Sequence, residues 1–218
     1  VTWSNTGSRV IFLGWMSNWQ YANKVPTEAW RGAMTLPREL FLREAGGQWY
    51  VGSRPVDSLK ILAEQETRFQ PEGRRAFSLL TSAFGGQAVI RYRLREPVDF
   101  SLCLSNKLGD SLLIGYRKAE NRYYIDRRRA GVSSFDSSFA GIAWAPRLSA
   151  DSSLEGSCWI DQSSAELFAD SGLSVLTDLF YPRAPYDRVE WRCDNPGLLE
   201  ALSFTPLRSI WRRTADTP

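Results

Sequence analysis

"VIRYRLR", Val89 to Arg95, alternates from its second residue on: Ile90, Tyr92 and Leu94 fall on one side, Arg91, Arg93 and Arg95 on the other. Successive side chains of a β-strand point to opposite faces, so this period of two describes a strand with one apolar and one charged face. Such a strand suits an antiparallel sheet, buried on one side and wet on the other.

The same pattern returns further along the chain. In "VDFSLCLS", Val98, Phe100, Leu102 and Leu104 alternate with Asp99, Ser101, Cys103 and Ser105. In "DRVEWRC", Val189, Trp191 and Cys193 alternate with Arg188, Glu190 and Arg192. Turn residues punctuate the runs at Gly46-Gly47, near Glu120-Asn121 and at Asp170-Ser171-Gly172, each the centre of an expected hairpin. Helical signal is scarce; "PVDSLKILAEQ", Pro55 to Gln65, predicts one short helix capped by Asp57 or Ser58. Closely spaced strands with hairpins predict an all-β antiparallel sandwich, two sheets running from about Phe69 to Phe204. Ile90, Tyr92, Leu94, Phe100, Leu102, Val189 and Trp191 are its expected core.

The 218 residues suffice for one large domain or one and a half small ones. Net charge is +3 and spread along the chain, which gives no reason to invoke nucleic acid. The densest basic run, Arg127 to Arg129 in "DRRRAG", reads as a solvated strand end or turn. There is no histidine, which removes Ser-His-Asp triads, histidine general bases and histidine metal sites together. Cys103, Cys158 and Cys193 form no CxxC pair, so neither a zinc nor a redox centre is expected. Whether two of them, such as Cys158 and Cys193, are bridged stays open. No apolar run reaches the ~20 residues of a membrane helix, and no signal peptide is visible.

One stretch does not fit a plain sandwich. "GWMSNWQYANKVPTEAWRGAMTLPREL", Gly14 to Leu40, crowds Trp15, Trp19 and Trp30 among Asn18, Gln20, Tyr21, Asn23 and Arg31. Flat aromatic rings stack on the C–H faces of sugars, and neighbouring amides and guanidinium groups serve the hydroxyls, so the mixture suits a carbohydrate site. Its rival is plain packing of tryptophans in a core or at an interface.

This stretch resembles the segment near the end of the catalytic domain of glycoside hydrolase family 32, the fructan β-fructosidases (inulinases, levanases, invertases). "SSAELFADSGLSVLTDLFYP" resembles the late sandwich segment of that family; "YYIDRRRAG" and "PLRSIW" also fit, in the same order. Ser17 stands where an amide is expected. The resemblance implies a two-part enzyme, a five-bladed β-propeller with a β-sandwich behind it. It would cleave fructosyl linkages with retention, using a carboxylate nucleophile and a carboxylic acid/base. No metal or organic cofactor is implied, and a secreted or periplasmic location is. The chain then divides into residues 1–40, a remnant of the last propeller blade; 41–65, a linker with the hairpin and short helix; 66–211, the sandwich; and 212–218, a tail.

The family's catalytic motifs are of the kind WMNDPNG, RDP and Glu-Cys. No Asp-Pro dipeptide and no Glu-Cys pair occurs here, so no catalytic residue is assigned. Glu39, Asp126, Asp161 and Glu166 read as solvated or ion-paired carboxylates. By resemblance one tryptophan of "GWMSNW", Trp15 or Trp19, lines the pocket for the terminal fructosyl unit, with Asn18 on the same wall. Trp30 and Arg31 are assigned to the junction between propeller and sandwich. The expected partner is fructan or sucrose, with no nucleic acid and no membrane; the alternative is a stand-alone sugar-binding sandwich. The N-terminal strands are expected to self-associate rather than fold back on the sandwich.

Overall fold

The computed structural model describes residues 1–70, 73–79 and 86–210. In chain order its strands are β1 (Val10–Phe12), β2 (Arg38–Ala45), β3 (Gln48–Pro55), β4 (Thr67–Arg68), β5 (Ala76–Ser78), β6 (Ala88–Leu94), β7 (Phe100–Ser105) and β8 (Ser111–Arg117). They continue as β9 (Arg122–Arg129), β10 (Ile142–Pro146), β11 (Leu154–Ile160), β12 (Ser164–Ala169), β13 (Ser174–Leu179), β14 (Arg188–Cys193) and β15 (Leu199–Pro206). One six-stranded sheet has the order β10-β9-β8-β7-β14-β5 and the other β13-β12-β11-β6-β15-β4, with every recorded pairing antiparallel. Their inner faces meet in one core that holds Ile90, Tyr92, Leu94, Phe100, Leu102, Val189 and Trp191. The fold is therefore the expected antiparallel sandwich.

The three turns fall where the sequence places them. Asn121 takes a left-handed φ of 50° between β8 and β9. Gly46-Gly47 joins β2 to β3, and β1 adds a third strand to that hairpin. Segment 41–55 thus continues the sheet that the N-terminal residues begin. The expected short helix exists as a 3-10 turn, Asp57–Leu62, but Val56 is its N-cap and no side chain caps it. Asp57 instead pairs with Lys60 at 2.5 Å. Arg127 corrects the reading of the basic run: it is half-buried, salt-bridged to Asp178 at 2.9 Å, and sits 4.1 Å over the Phe139 ring. All three cysteines are free thiols, and burial pushes Cys158 up to about 12. The expected tail 212–218 and the sandwich's end at residue 211 lie outside the described residues.

Candidate functional site

The Trp-rich segment is a loop strapped at its base. Trp15 bridges to Met34, Met16 N–H donates to Ala33 O at 2.8 Å, and Thr35 N–H donates to Gly14 O at 2.8 Å. Within the loop, Arg31 Nη1 donates to Asn23 O at 2.6 Å and Val25 O at 3.3 Å, which pins the middle. The loop's apolar side, Met16, Tyr21 and Val25, packs against Phe139, Leu179 and Tyr181 of the sandwich. Lys24 Nζ meets Asp136 at 2.8 Å across the same seam, and this holds the Asp136 carboxyl well below its usual range.

Behind the loop the chain is anchored on a buried carboxylate. Glu166 Oε1 accepts from Leu36 N–H at 2.7 Å, and Oε2 takes Arg38 Nε at 3.1 Å together with Arg38 Nη2. Arg38 also donates to Thr177 Oγ1 at 2.5 Å and lies over Phe168. Burial pushes the Glu166 carboxyl up, and the Arg38 guanidinium and Leu36 N–H oppose it. The anchor has a second point. Asp170, Ser171 and Gly172 take left-handed φ values of 53°, 55° and 91°, and a Cβ on Gly172 would stand 2.3 Å from Ser53 O of β3. Only glycine lets the sandwich turn press this closely on the N-terminal sheet. The segment thus folds back on the sandwich, where the sequence reading expected it not to. What stays exposed is the hairpin's other face, Leu42, Trp49 and Val51.

This anchoring leaves two indoles outside. Trp15 and Trp19 stand 5.0 Å apart at 55°, with Trp15 43% and Trp19 89% exposed. Asn18 lies between them in sequence; its Oδ1 accepts from Gln20 N–H at 2.9 Å and shapes the turn. Ser17 buries its Oγ with no hydrogen-bond partner among the described residues. Trp30, 44% exposed, lines a cavity of about 330 Å³ with Pro26 and the sandwich residues Val132, Tyr181 and Pro185. Arg31 stays within its own loop.

The four carboxylates singled out in the sequence are all engaged. Glu39 pairs with Arg54, Asp126 with Arg128 and Glu166 with Arg38, while Asp161 accepts from Gln87 at 2.9 Å. Glu166 is not solvated but buried. The sequence reading missed it as an anchor, although a lone carboxylate in the apolar run "SAELFA" signals a buried partner. Among the described residues no cluster of His, Cys, Asp or Glu fits a metal ion, and no helix is long and apolar enough to cross a membrane.

Asp178 carries a titration that solution work can read. Burial raises its carboxyl to about 6, against the opposing pull of Arg127. A carboxyl that titrates higher folded than unfolded favours the fold when protonated. Its contribution is present in full below the unfolded value near 4 and is lost as pH rises through about 6. Relative to Asp178→Asn, the wild-type chain is expected to gain up to about 3 kcal/mol of stability between pH 7 and pH 4. Urea denaturation of both proteins across that range checks it; parallel curves contradict it.

Residues 60–205 match the family model described as "Glycosyl hydrolases family 32 C terminal", and residues 1–52 match "Glycosyl hydrolases family 32 N-terminal domain". The chain belongs to glycoside hydrolase family 32. Within that family it is 28% identical to the levanase of Bacillus subtilis (strain 168) over 225 residues, covering 98% of this chain and 33% of the levanase. It is also 28% identical to the extracellular exo-inulinase of Aspergillus awamori, covering 86% of this chain and 36% of that protein. The chain spans about a third of the length of these curated relatives. Two solved structures share the fold: a fructofuranosidase from Schwanniomyces occidentalis complexed with fructose, and the Aspergillus awamori exo-inulinase. The first has a TM-score of 0.81 at 21% identity over 96% of this chain and 47% of that one. The second has a TM-score of 0.78 at 24% identity over 93% and 41%. The glycoside hydrolase family 32 chain thus comprises the C-terminal sandwich and part of the N-terminal domain, and the exposed Trp15–Trp19 corner lies in the latter part.

Proposed function

We propose that this chain is the C-terminal part of a retaining β-fructosidase that acts on fructans such as levan and inulin, or on sucrose, outside the cytoplasm. One observation carries the reading: the indole pair of the "GWMSNW" loop is held outward by a segment locked to the sandwich through Glu166. Trp19, the more exposed, offers its face to the fructosyl ring. Trp15, tied to Met34, backs it, and Asn18 fixes the turn that carries both. Trp30 belongs to the propeller–sandwich junction, and Arg31 stiffens the loop that presents it. The sandwich is then a brace that sets the angle of this loop. The chemistry needs a nucleophile and an acid/base at a fixed separation, and none of the carboxylates in these 218 residues sits in the family's motifs. Further strands of the N-terminal domain would cover Leu42, Trp49 and Val51; without them that face is where self-association would occur.

The 218-residue chain is expected to release no fructose from sucrose, inulin or levan, whereas the enzyme with its whole N-terminal domain releases it. Fructose formed by the purified chain and abolished by changing one of its own carboxylates would show that the active site lies here.

A further inference from the structure

The two outer faces of the sandwich are not alike. On the β13-β12-β11-β6-β15-β4 sheet, Val89, Trp159 and Phe168 lie beneath Leu36, Leu59 and Leu207. On the other sheet, one cross-strand row runs from edge to edge through Trp144, Tyr124, Gly115, Ser101, Arg192 and Ala76. Their chain neighbours Ala143, Ile125, Leu102 and Trp191 belong to the core or pack against it, so the row faces outward. Six strands give it a length of about 24 Å.

The row has a built order. Trp144, on the edge strand and 41% exposed, leans on Tyr124 at 5.5 Å and 48°. Arg117 lies 5.6 Å over the same Tyr124 ring. Tyr124 can cross to the next strand because position 115 is glycine: a Cβ there would meet Tyr124 Oη at 2.9 Å and Phe100 O at 2.2 Å. Beyond it a groove of about 170 Å³ is lined by Asp99, Ser101, Arg117, Tyr124, Arg192 and Asp194. Three ion pairs flank the row: Arg117–Asp99 at 3.5 Å, Arg128–Asp126 at 2.7 Å and Arg192–Glu190 at 2.9 Å. Their arginine side chains are 54%, 59% and 61% exposed.

This chemistry selects its occupant. A protein interface would need an apolar centre cleared of charges, and this face has a single indole among ions. An anionic polymer would need free positive charge along the row, and here Arg117, Arg128 and Arg192 are each held in an ion pair. A neutral polyhydroxyl chain needs what is present: a supported aromatic plate, both donors and acceptors beside it, and a shallow floor across the strands. Resting on the fructan reading above, we propose that this face is a second sugar-binding surface, in which a stretch of fructan lies across the strands with one residue stacked on Trp144. It would hold polymer at a distance from the Trp15–Trp19 corner and act as a tether.

Affinity electrophoresis of the 218-residue chain tests it, in native gels with and without dissolved levan or inulin. The wild-type chain should be slowed by at least one of the two. Trp144→Ala should lose about five-fold or more of that affinity, Trp144→Phe should keep most of it, and Arg192→Gln, at the far end of the row, should weaken it with an unchanged thermal midpoint. A wild-type chain that neither polymer slows overturns the inference. So does a Trp144→Ala chain slowed as much as wild type, or slowing that is lost in Trp19→Ala instead. Sucrose hydrolysis by the enzyme with its whole N-terminal domain separates the two readings. Hydrolysis without retardation sinks the tether alone; no hydrolysis of any fructosyl substrate sinks the β-fructosidase reading.

Discussion

Glu166→Ala is expected to destabilise the fold by about 3–5 kcal/mol, because it leaves the buried Arg38 guanidinium without its counter-ion. Arg38 is 8% exposed, so water cannot replace the lost carboxylate without opening the seam. The Leu36 N–H loses its acceptor in the same step, and an unpaired buried donor adds a penalty of its own. Removing both charges should cost less than removing one: Arg38→Met with Glu166→Leu trades the ion pair for apolar packing against Phe168 and recovers part of the loss. The Leu36 N–H and Thr177 hydroxyl would still lack their present partners, so recovery stays incomplete. A double-mutant cycle by urea denaturation measures this. If Glu166→Ala costs less than 1 kcal/mol, the carboxylate is not the anchor described here.

Trp191→Ala should cost a similar amount, about 3–5 kcal/mol, for a different reason. Trp191 is 1% exposed, stacks on Phe100 at 4.8 Å and 14°, and touches Tyr92 at 5.8 Å. Truncation empties the middle of the core, and the two sheets cannot close over the space while their strands stay paired. Trp191→Phe separates packing from polarity. The indole N–H has no acceptor among the described residues, so phenylalanine sheds a dehydrated donor while it loses some volume. The two effects oppose each other and the net change should stay below about 1.5 kcal/mol. A phenylalanine variant as unstable as the alanine variant would mean that the N–H finds a partner, such as a buried water.

The fold was legible wherever one strand face is wet. β7 and β14 alternate in burial as they alternate in sequence, and so does β6 from Ile90 on. β12 does not: all six of its residues are buried, because the N-terminal segment covers the face that would otherwise meet water. That cover comes from more than a hundred residues away, and no local period can report it. Arg127 was misread for the same reason, since its partner Asp178 lies fifty-one positions along and nothing in "DRRRAG" sets its first arginine apart. The missing cap on Asp57–Leu62 is a local failure. The turn closes with backbone bonds from Leu59 N–H to Val56 O and Ala63 N–H to Lys60 O, and its acid turns to Lys60 instead. At the candidate site the residue types were readable. The difference between an anchored Trp15 and a free Trp19 was not, because it rests on the Met34 bridge that closes the loop.

The long reach of the N-terminal anchors also sets an order on biosynthesis. Lys24, Leu36 and Arg38 bind residues 112, 130 and 139 positions further on. At roughly 5–20 residues per second, a ribosome needs roughly 7–26 s to span 130 residues. Through that interval the nascent segment carries Met16, Tyr21 and Val25 without the surface that will receive them. The sandwich must emerge and close first, with the segment that precedes it docking afterwards. A cell that makes this protein therefore needs a holdase for the segment that carries Lys24, Leu36 and Arg38 more than for the sandwich.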